Sequence, residues 1–284
     1  MDKIAIVADS IACLTSEMVE QYGIRIMPAN IHFEDKVYRE YLDISPSQAY
    51  RLLEKDPEHF STSTASPDDF LQVYRELSTR ADSILCIILS SKLSVFYDMA
   101  RVAKEQAKEE LPQTQIEVLD SRTAAAAEGF VVLAAARAVA EGKSLAEVIK
   151  AAEGVREKVA FLALMETIRH VYRSGRIPKV AAQVGSALSV KPIITISDGV
   201  AHFVGIARSK ERGVNRVLQL VREKVGENPV HVAVMHADAL EEAQRLKERV
   251  SSEFNCEELW LSEFSPIMGY ATGPGLVGLA FYAD

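Results

Sequence analysis

A chain of 284 residues, 48% hydrophobic and 25% charged, is long enough to bury a large core and has globular composition, which excludes a disordered or fibrous polypeptide. A formal net charge of −8 lacks the basic footprint that nucleic acid or an anionic membrane surface requires, and no Lys/Arg block overrides it. Three widely spaced cysteines, Cys13, Cys86 and Cys256, make neither a zinc motif nor a disulfide framework, so a reducing, cytoplasmic setting is expected.

The chain opens on an apolar strand, Lys3 to Ala8, that stops on Asp9-Ser10 before a helix from about Thr15 to Tyr22. No basic region followed by an apolar run precedes that strand, so no signal peptide is expected. The longest apolar run, near Phe130 to Ala136, falls far short of the roughly 20 residues of a membrane helix, so no membrane segment is expected. Residues 24 to 39 read as extended, with Glu34-Asp35-Lys36 as a hairpin turn, and Ser45-Pro46 reads as the N-cap and first residue of a helix to Glu54. Four successive hydroxyl residues, Ser61 to Thr64, precede Ser66-Pro67 and a helix over Asp68 to Thr79; capping that helix does not need so many.

The apolar run Ile84 to Leu89 predicts a buried parallel strand, and it ends abruptly on Ser90-Ser91-Lys92-Leu93-Ser94 before a helix from Phe96 to Glu109. Hydroxyls at the carboxyl end of such a strand either cap the next helix or meet a ligand, because loops fan apart there and helix N-termini favour anions. A strand over Ile116 to Leu119 ends on Asp120-Ser121, an Ala-rich helix follows over residues 123 to 140, and another runs from Ser144 to about Lys158. This βαβα order implies a parallel sheet with right-handed crossovers.

A boundary is expected near residue 160, dividing an N-terminal α/β domain (1–160) from a C-terminal α/β domain (161–284). The second half predicts a strand over Val159 to Leu164, a helical stretch through Tyr172, and a small-residue helix over residues 179 to 188. Asp198-Gly199 between the runs Val190 to Ile196 and Val200 to Ile206 signals a hairpin, so the second sheet is expected to be mixed. A helix (Lys210 to Lys224), a strand (Val230 to Met235), a helix (Asp238 to Phe254) and a strand near Glu257 to Leu261 follow. The tail, Ile267 to Gly275, leads into a last apolar strand to Tyr282.

Several chemistries are absent from the pattern. Gly273, Gly275 and Gly278 match a dinucleotide-binding spacing, but six residues remain after them, too few for the helix and strand that motif needs. His231 and His236 are the only histidines near metal-ligand spacing, and no metal or cofactor is expected. A Ser-Lys hydrolase built on Ser91 or Ser94 with Lys92 is the one enzymatic alternative; it requires a desolvated Lys92 and an oxyanion hole.

Taken together, Asp9-Ser10, Thr62-Ser63 with Ser66-Pro67, Ser90-Ser91-Lys92-Leu93-Ser94, Asp120-Ser121, Gly175-Arg176-Ile177, Lys191-Pro192-Ile193-Ile194, Asp198-Gly199, Arg208 and Thr272-Gly273-Pro274-Gly275 resemble the DegV family of bacterial fatty-acid-binding proteins, nearly end to end. The resemblance implies two α/β domains with parallel or mixed sheets flanked by helices, and an apolar lipid tunnel between or beside them. It implies a long-chain fatty acid whose carboxyl is held by Thr62 and Ser94, helped by backbone N–H groups after that serine. It also implies, for some members, presentation of the acid to a dihydroxyacetone-kinase-like fatty acid kinase, and no chemistry by the binding protein itself.

The ligand-binding set expected here is Thr62, Ser63, Ser94, Val95, Arg176, Ala271 and Thr272. Arg176 matches the arginine of the family's G-G-R-I motif and is expected near the head group or the partner surface. Departures cluster at the head-group end. Val95-Phe96 stand where Gly-Thr is common, a bulky pair expected to narrow the mouth. Ala271 replaces the usual His before T-G-P-G, Ser174 replaces the first glycine of G-G-R-I, and Thr64-Ala65 replace Gln-Pro. A carrier or sensor for a different amphiphile is therefore the further alternative.

Overall fold

A computed structural model describes residues 3–174 and 190–283. In chain order the first half runs β1 (Ile4–Asp9), a single 3-10 turn (Ser10–Ala12), α1 (Ser16–Tyr22), β2 (Arg25–Met27), β3 (Asn30–Phe33), β4 (Lys36–Arg39), α2 (Pro46–Lys55), β5 (Phe60–Ser63), α3 (Pro67–Ser78), β6 (Ser83–Ile88), α4 (Phe96–Glu110), β7 (Gln115–Asp120), α5 (Ala126–Ala140) and α6 (Leu145–Lys158). The second half continues with β8 (Ala160–Leu164), α7 (Arg169–Ser174), β9 (Lys191–Ser197), β10 (Val200–Ala207), α8 (Lys210–Val225), β11 (Val230–His236), α9 (Leu240–Glu253), β12 (Cys256–Glu263), α10 (Pro266–Thr272) and β13 (Val277–Ala283).

The strands form three sheets. A four-stranded sheet has order β2-β1-β6-β7, with every pair parallel, and all six residues of β6 are buried, as a strand covered on both faces must be. A small antiparallel sheet, β4-β3-β5, sits beside it in sequence. The second half forms one six-stranded mixed sheet, β10-β9-β8-β13-β11-β12, in which β11 and β12 run parallel and the other neighbours antiparallel. The fold is thus mixed α/β, with parallel and mixed sheets flanked by helices.

Helix α5 joins the halves. It packs on β1 and β6 of the first sheet and on β11 and β13 of the last, so it is apolar on nearly every side and not striped. Gly129 is where it comes closest: an added Cβ would meet the Ala12 carbonyl and the Leu14 side chain. Phe130 meets Trp260 of β12 and Tyr282 of β13 edge-on, with centroids 5.5 and 5.2 Å apart. Val7, Phe130, Phe161 and Trp260 belong to one continuous hydrophobic core that draws on both halves.

The structure corrects one expected helix start and adds two elements. The Ala-rich helix starts at residue 126 instead of 123, because Arg122 and Ala125 take left-handed backbone angles (φ 53° and 56°) and turn the chain twice before it. The hydroxyl run at Ser61 to Thr64, more than a cap needs, is for the most part a strand: Phe60–Ser63 pairs with β3 as β5. The Gly-rich tail begins with a helix, α10, capped by the Ser265 hydroxyl and opened by Pro266, and Gly269 lies where any side chain would strike the Tyr50 ring. The helix expected over 179 to 188 lies outside the described residues.

Candidate ligand-binding cavity

A cavity of about 590 Å³ opens where β5, the loop after β6, the β9–β10 hairpin and α10 converge. Its walls are mainly apolar: Ile11 from the turn after β1, Phe161 from β8, Ile194 and Ile196 from β9, and Ile267 and Met268 from α10. The polar groups concentrate in two places, Thr62 to Thr64 and Ser91 to Ser94. This size, with apolar walls and a few convergent polar groups, is the form of a small-molecule site.

The Ser-rich loop is held by its own side chains. Ser90 is fully buried; its N–H donates to the Thr123 carbonyl, its hydroxyl donates to the Gly199 carbonyl at 2.8 Å, and its carbonyl accepts from the Leu93 and Ser94 N–H groups. Ser91 donates its hydroxyl to Asp120 Oδ2 at 2.6 Å. Lys92 is exposed and its Nζ donates to the Asp198 carbonyl at 2.8 Å. Ser94 remains at the cavity, its Oγ accepting the Phe96 N–H at 3.3 Å, which leaves its own O–H as a donor. Capping therefore explains only part of the motif, since Ser90 and Ser91 tie the loop to two other elements.

On β5, period-2 alternation puts Thr62 on the same face as the buried Phe60, while Ser63 shares the other face with its neighbour His32. His32 Nε2 lies 2.8 Å from Ser63 Oγ, so that hydroxyl has a protein partner as well as a place on the cavity rim. Thr272, buried on α10, donates its hydroxyl to the Met268 carbonyl at 3.1 Å and presents little but its methyl and an acceptor oxygen. Ala271 is buried on the same wall.

Six of the seven expected site residues, Thr62, Ser63, Ser94, Val95, Ala271 and Thr272, therefore line one cavity. Arg176 lies outside the described residues. The bulky pair after Ser94 divides: Val95 is 58% exposed at the mouth, whereas Phe96 is buried and packs edge-on against Phe70 with centroids 5.6 Å apart. Only Val95 can crowd the entrance. The apolar lining from β9 was not singled out in the sequence, because a hairpin signal says nothing about which face a strand turns to a neighbouring domain.

Beneath the cavity lies a set of buried carboxyls. Asp9 accepts the N–H groups of Ile11 and Leu89, both at 2.8 Å, and so fixes two cavity-lining residues from behind. Burial pushes its carboxyl up to about 6 despite those bonds. Glu128 of α5 is buried near it with neither carboxyl oxygen hydrogen-bonded; burial and the Asp9 charge push Glu128 well above the usual carboxylate range. Glu40 accepts the Ser265 hydroxyl at 2.6 Å, and burial pushes it up to about 8, with the Ser10 and Ser265 hydroxyls pulling the other way. A lone acid inside an Ala-rich helix was the available sign for Glu128; Glu40 left none. Among the described residues no three His, Cys, Asp or Glu side chains are grouped to hold a metal, and no helix is long and apolar enough to cross a membrane.

Fold and cavity together define an α/β protein built around an apolar chamber with hydroxyls at its polar end. The chain belongs to the DegV family: the family model described as "Uncharacterised protein, DegV family" matches residues 3–284. A DegV domain-containing protein of Clostridium acetobutylicum is 31% identical over 282 residues, covering 99% of this chain and 98% of its own. Among solved structures, a Thermus thermophilus DegV family protein described for fatty acid binding superimposes with a TM-score of 0.91 at 27% identity, covering 99% of this chain and all of its own. DegV of Bacillus subtilis, described as a fatty acid binding protein, gives 0.90 at 28% identity with both chains fully covered.

Proposed function

We propose that this chain binds one long-chain fatty acid in the large cavity, its carboxyl held by the Thr62 and Ser94 hydroxyls and its tail lying against the apolar walls. The observation that carries this reading is the segregation of the cavity, hydroxyls at Thr62–Thr64 and Ser91–Ser94 against walls such as Phe161, Ile194 and Ile267. The description of the Thermus thermophilus and Bacillus subtilis relatives as fatty acid binding supports it. Burying roughly fourteen methylenes at about 0.8 kcal/mol each supplies on the order of 10 kcal/mol before ordering costs, enough for tight binding without an ionic contact. The head group then needs orientation only. Two hydroxyl donors and the first N–H groups of α4 provide it, and they leave the carboxyl less shielded than a bidentate arginine would.

In this reading the protein works in the cytoplasm as a substrate-presenting subunit: the exposed head is offered to a fatty acid kinase, which forms the acyl phosphate. Arg176 belongs at the head or partner surface, residues 1–160 act as the carboxyl-binding domain, and residues 161–284 supply the lid and partner surface. The esterase alternative is disfavoured by Lys92, which is exposed and engaged by the Asp198 carbonyl instead of desolvated beside a serine. Native mass spectrometry of the purified protein tests the reading. One bound fatty acid per chain is the expected mass increment; a different amphiphile, or none, overturns it.

A further inference from the structure

A second cavity, of about 300 Å³, opens beside the turn that follows β1. Its polar lining includes Asp9, Ser10, Glu20 and Glu40, and its apolar lining includes Val19, Ile26 and Leu42; none of its lining residues is Lys, Arg or His. Glu40 is 1% exposed and gives one carboxyl oxygen to Ser265; the Ser10 hydroxyl is near enough to favour its charge, but Oε2 meets no donor in hydrogen-bond geometry. An orphaned carboxyl oxygen in a buried site costs a good fraction of its hydration, and a ligand N–H would restore it. The titratable groups that act on Glu40 from the surrounding elements are Asp9, Cys13, Tyr41, Tyr50 and Glu263, acids without exception.

The chemistry of the ligand follows. A metal ion is unsuited, since no metal-holding group of His, Cys, Asp or Glu exists among the described residues. An anion meets three carboxyls. We propose that this cavity is a second ligand site, for a small organic ammonium ion whose N–H groups bond Glu40 Oε2 and whose apolar body lies against Val19, Ile26 and Leu42. Burial holds Glu40 protonated up to about 8, so seating a cation near neutral pH expels that proton. Affinity therefore rises with pH, by up to about tenfold per unit below pH 8, and levels off above it, while an alkylammonium with a pKa near that of Lys stays charged. Asp9, which titrates near 6, adds a further rise only at the acid end.

Isothermal titration calorimetry with hexylammonium chloride at pH 6.5 and 8.5, with hexanol as the uncharged control, tests this. The expected result is one saturable site, at least tenfold tighter at pH 8.5, with proton uptake by the buffer at pH 6.5 and hexanol at least tenfold weaker. Glu40→Gln, which keeps an acceptor for Ser265, abolishes the hexylammonium preference, whereas Thr62→Ala/Ser94→Ala leaves it intact, so the outcome is independent of what the large cavity holds. Should Glu40→Gln fail to fold, Val19→Phe, which fills the apolar wall and leaves Glu40 in place, must abolish binding instead. Equal binding of hexanol to wild type, a flat pH dependence, no saturable site, a hexylammonium preference that survives Glu40→Gln or, where that variant does not fold, hexylammonium binding that survives Val19→Phe overturns the proposal.

Discussion

Ser90 of the loop after β6 donates its hydroxyl to the backbone carbonyl of Gly199, 109 residues away at the tip of the β9–β10 hairpin, at 2.8 Å. Lys92 reaches the carbonyl of the adjacent Asp198. The two halves of the chain are thus clamped at the cavity mouth, and the loop that carries Ser94 is fixed by the hairpin that carries Ile194 and Ile196. Asp198 and Gly199 both have positive φ (50° and 76°), the two-residue turn whose twist suits a hairpin, and a Cβ on Gly199 would sit on Ser90 Oγ.

Gly199→Ala is therefore expected to destabilise the protein by about 1–3 kcal/mol, through left-handed strain and the collision with Ser90. Denaturant unfolding checks this. Ser90→Ala, which leaves the Gly199 carbonyl and the Lys92 N–H without their buried partner, is expected to cost about as much. A cost under 0.5 kcal/mol for both, roughly the scatter of surface substitutions, would show that the clamp is dispensable.

Glu40 gives a pH signature. Its carboxyl is raised from 4.5 when unfolded to about 8 when folded, so its protonated form favours the folded state. The contribution is fully present below pH 4.5 and is lost as pH rises through 8, on the order of a few kcal/mol across that window. Asp9, raised from 3.8 to about 6, acts in the same direction at lower pH. Melting curves of wild type and Glu40→Gln between pH 5 and 9 are expected to lie closest at the acid end, to separate progressively up to about pH 8 and to run parallel above it, the variant holding its stability better. Parallel curves contradict the assignment.

In the head-group region, removing either hydroxyl alone, Thr62→Ala or Ser94→Ala, is expected to weaken fatty acid binding by roughly tenfold, one hydrogen bond to a charged group each. Lys92→Ala is expected to leave affinity within about threefold, because its amine serves the Asp198 carbonyl and not the ligand. Competition with a fluorescent fatty acid measures all three. A Lys92 effect larger than that of Ser94 would restore the lysine to the site.

Ala271 offers a test of where the tail or head passes. It is buried on the α10 wall, and Ala271→Phe adds a ring to the cavity. The variant is expected to retain its fold and to carry shorter acids than wild type when extracted lipids are compared. An unchanged chain-length profile places the ligand away from α10.

Much of this was legible in the sequence, for definite reasons. The buried run of β6 and the Asp198-Gly199 hairpin carry local signals strong enough to survive tertiary packing, and the ordered hydroxyl motifs carried the family. Ser61–Ser63 hid as a strand because its partner, β3, lies thirty residues away and contributes the stabilising pairs. Helix α10 hid because Gly269 and Tyr270 are poor helix formers; packing on Tyr50 and α2 outweighs that propensity. The buried Asp9–Glu128 pair and the orphaned oxygen of Glu40 depend on distant segments meeting, which no local pattern records.

Thr62 and Ser94 are expected to act together on one carboxyl. Lipid extraction and mass spectrometry on purified wild type beside the double variant Thr62→Ala/Ser94→Ala measure this joint role. The expected result is a stoichiometric long-chain fatty acid in wild type and its depletion in a variant that remains folded. Equal occupancy in both proteins, or no acyl lipid in either, would contradict it.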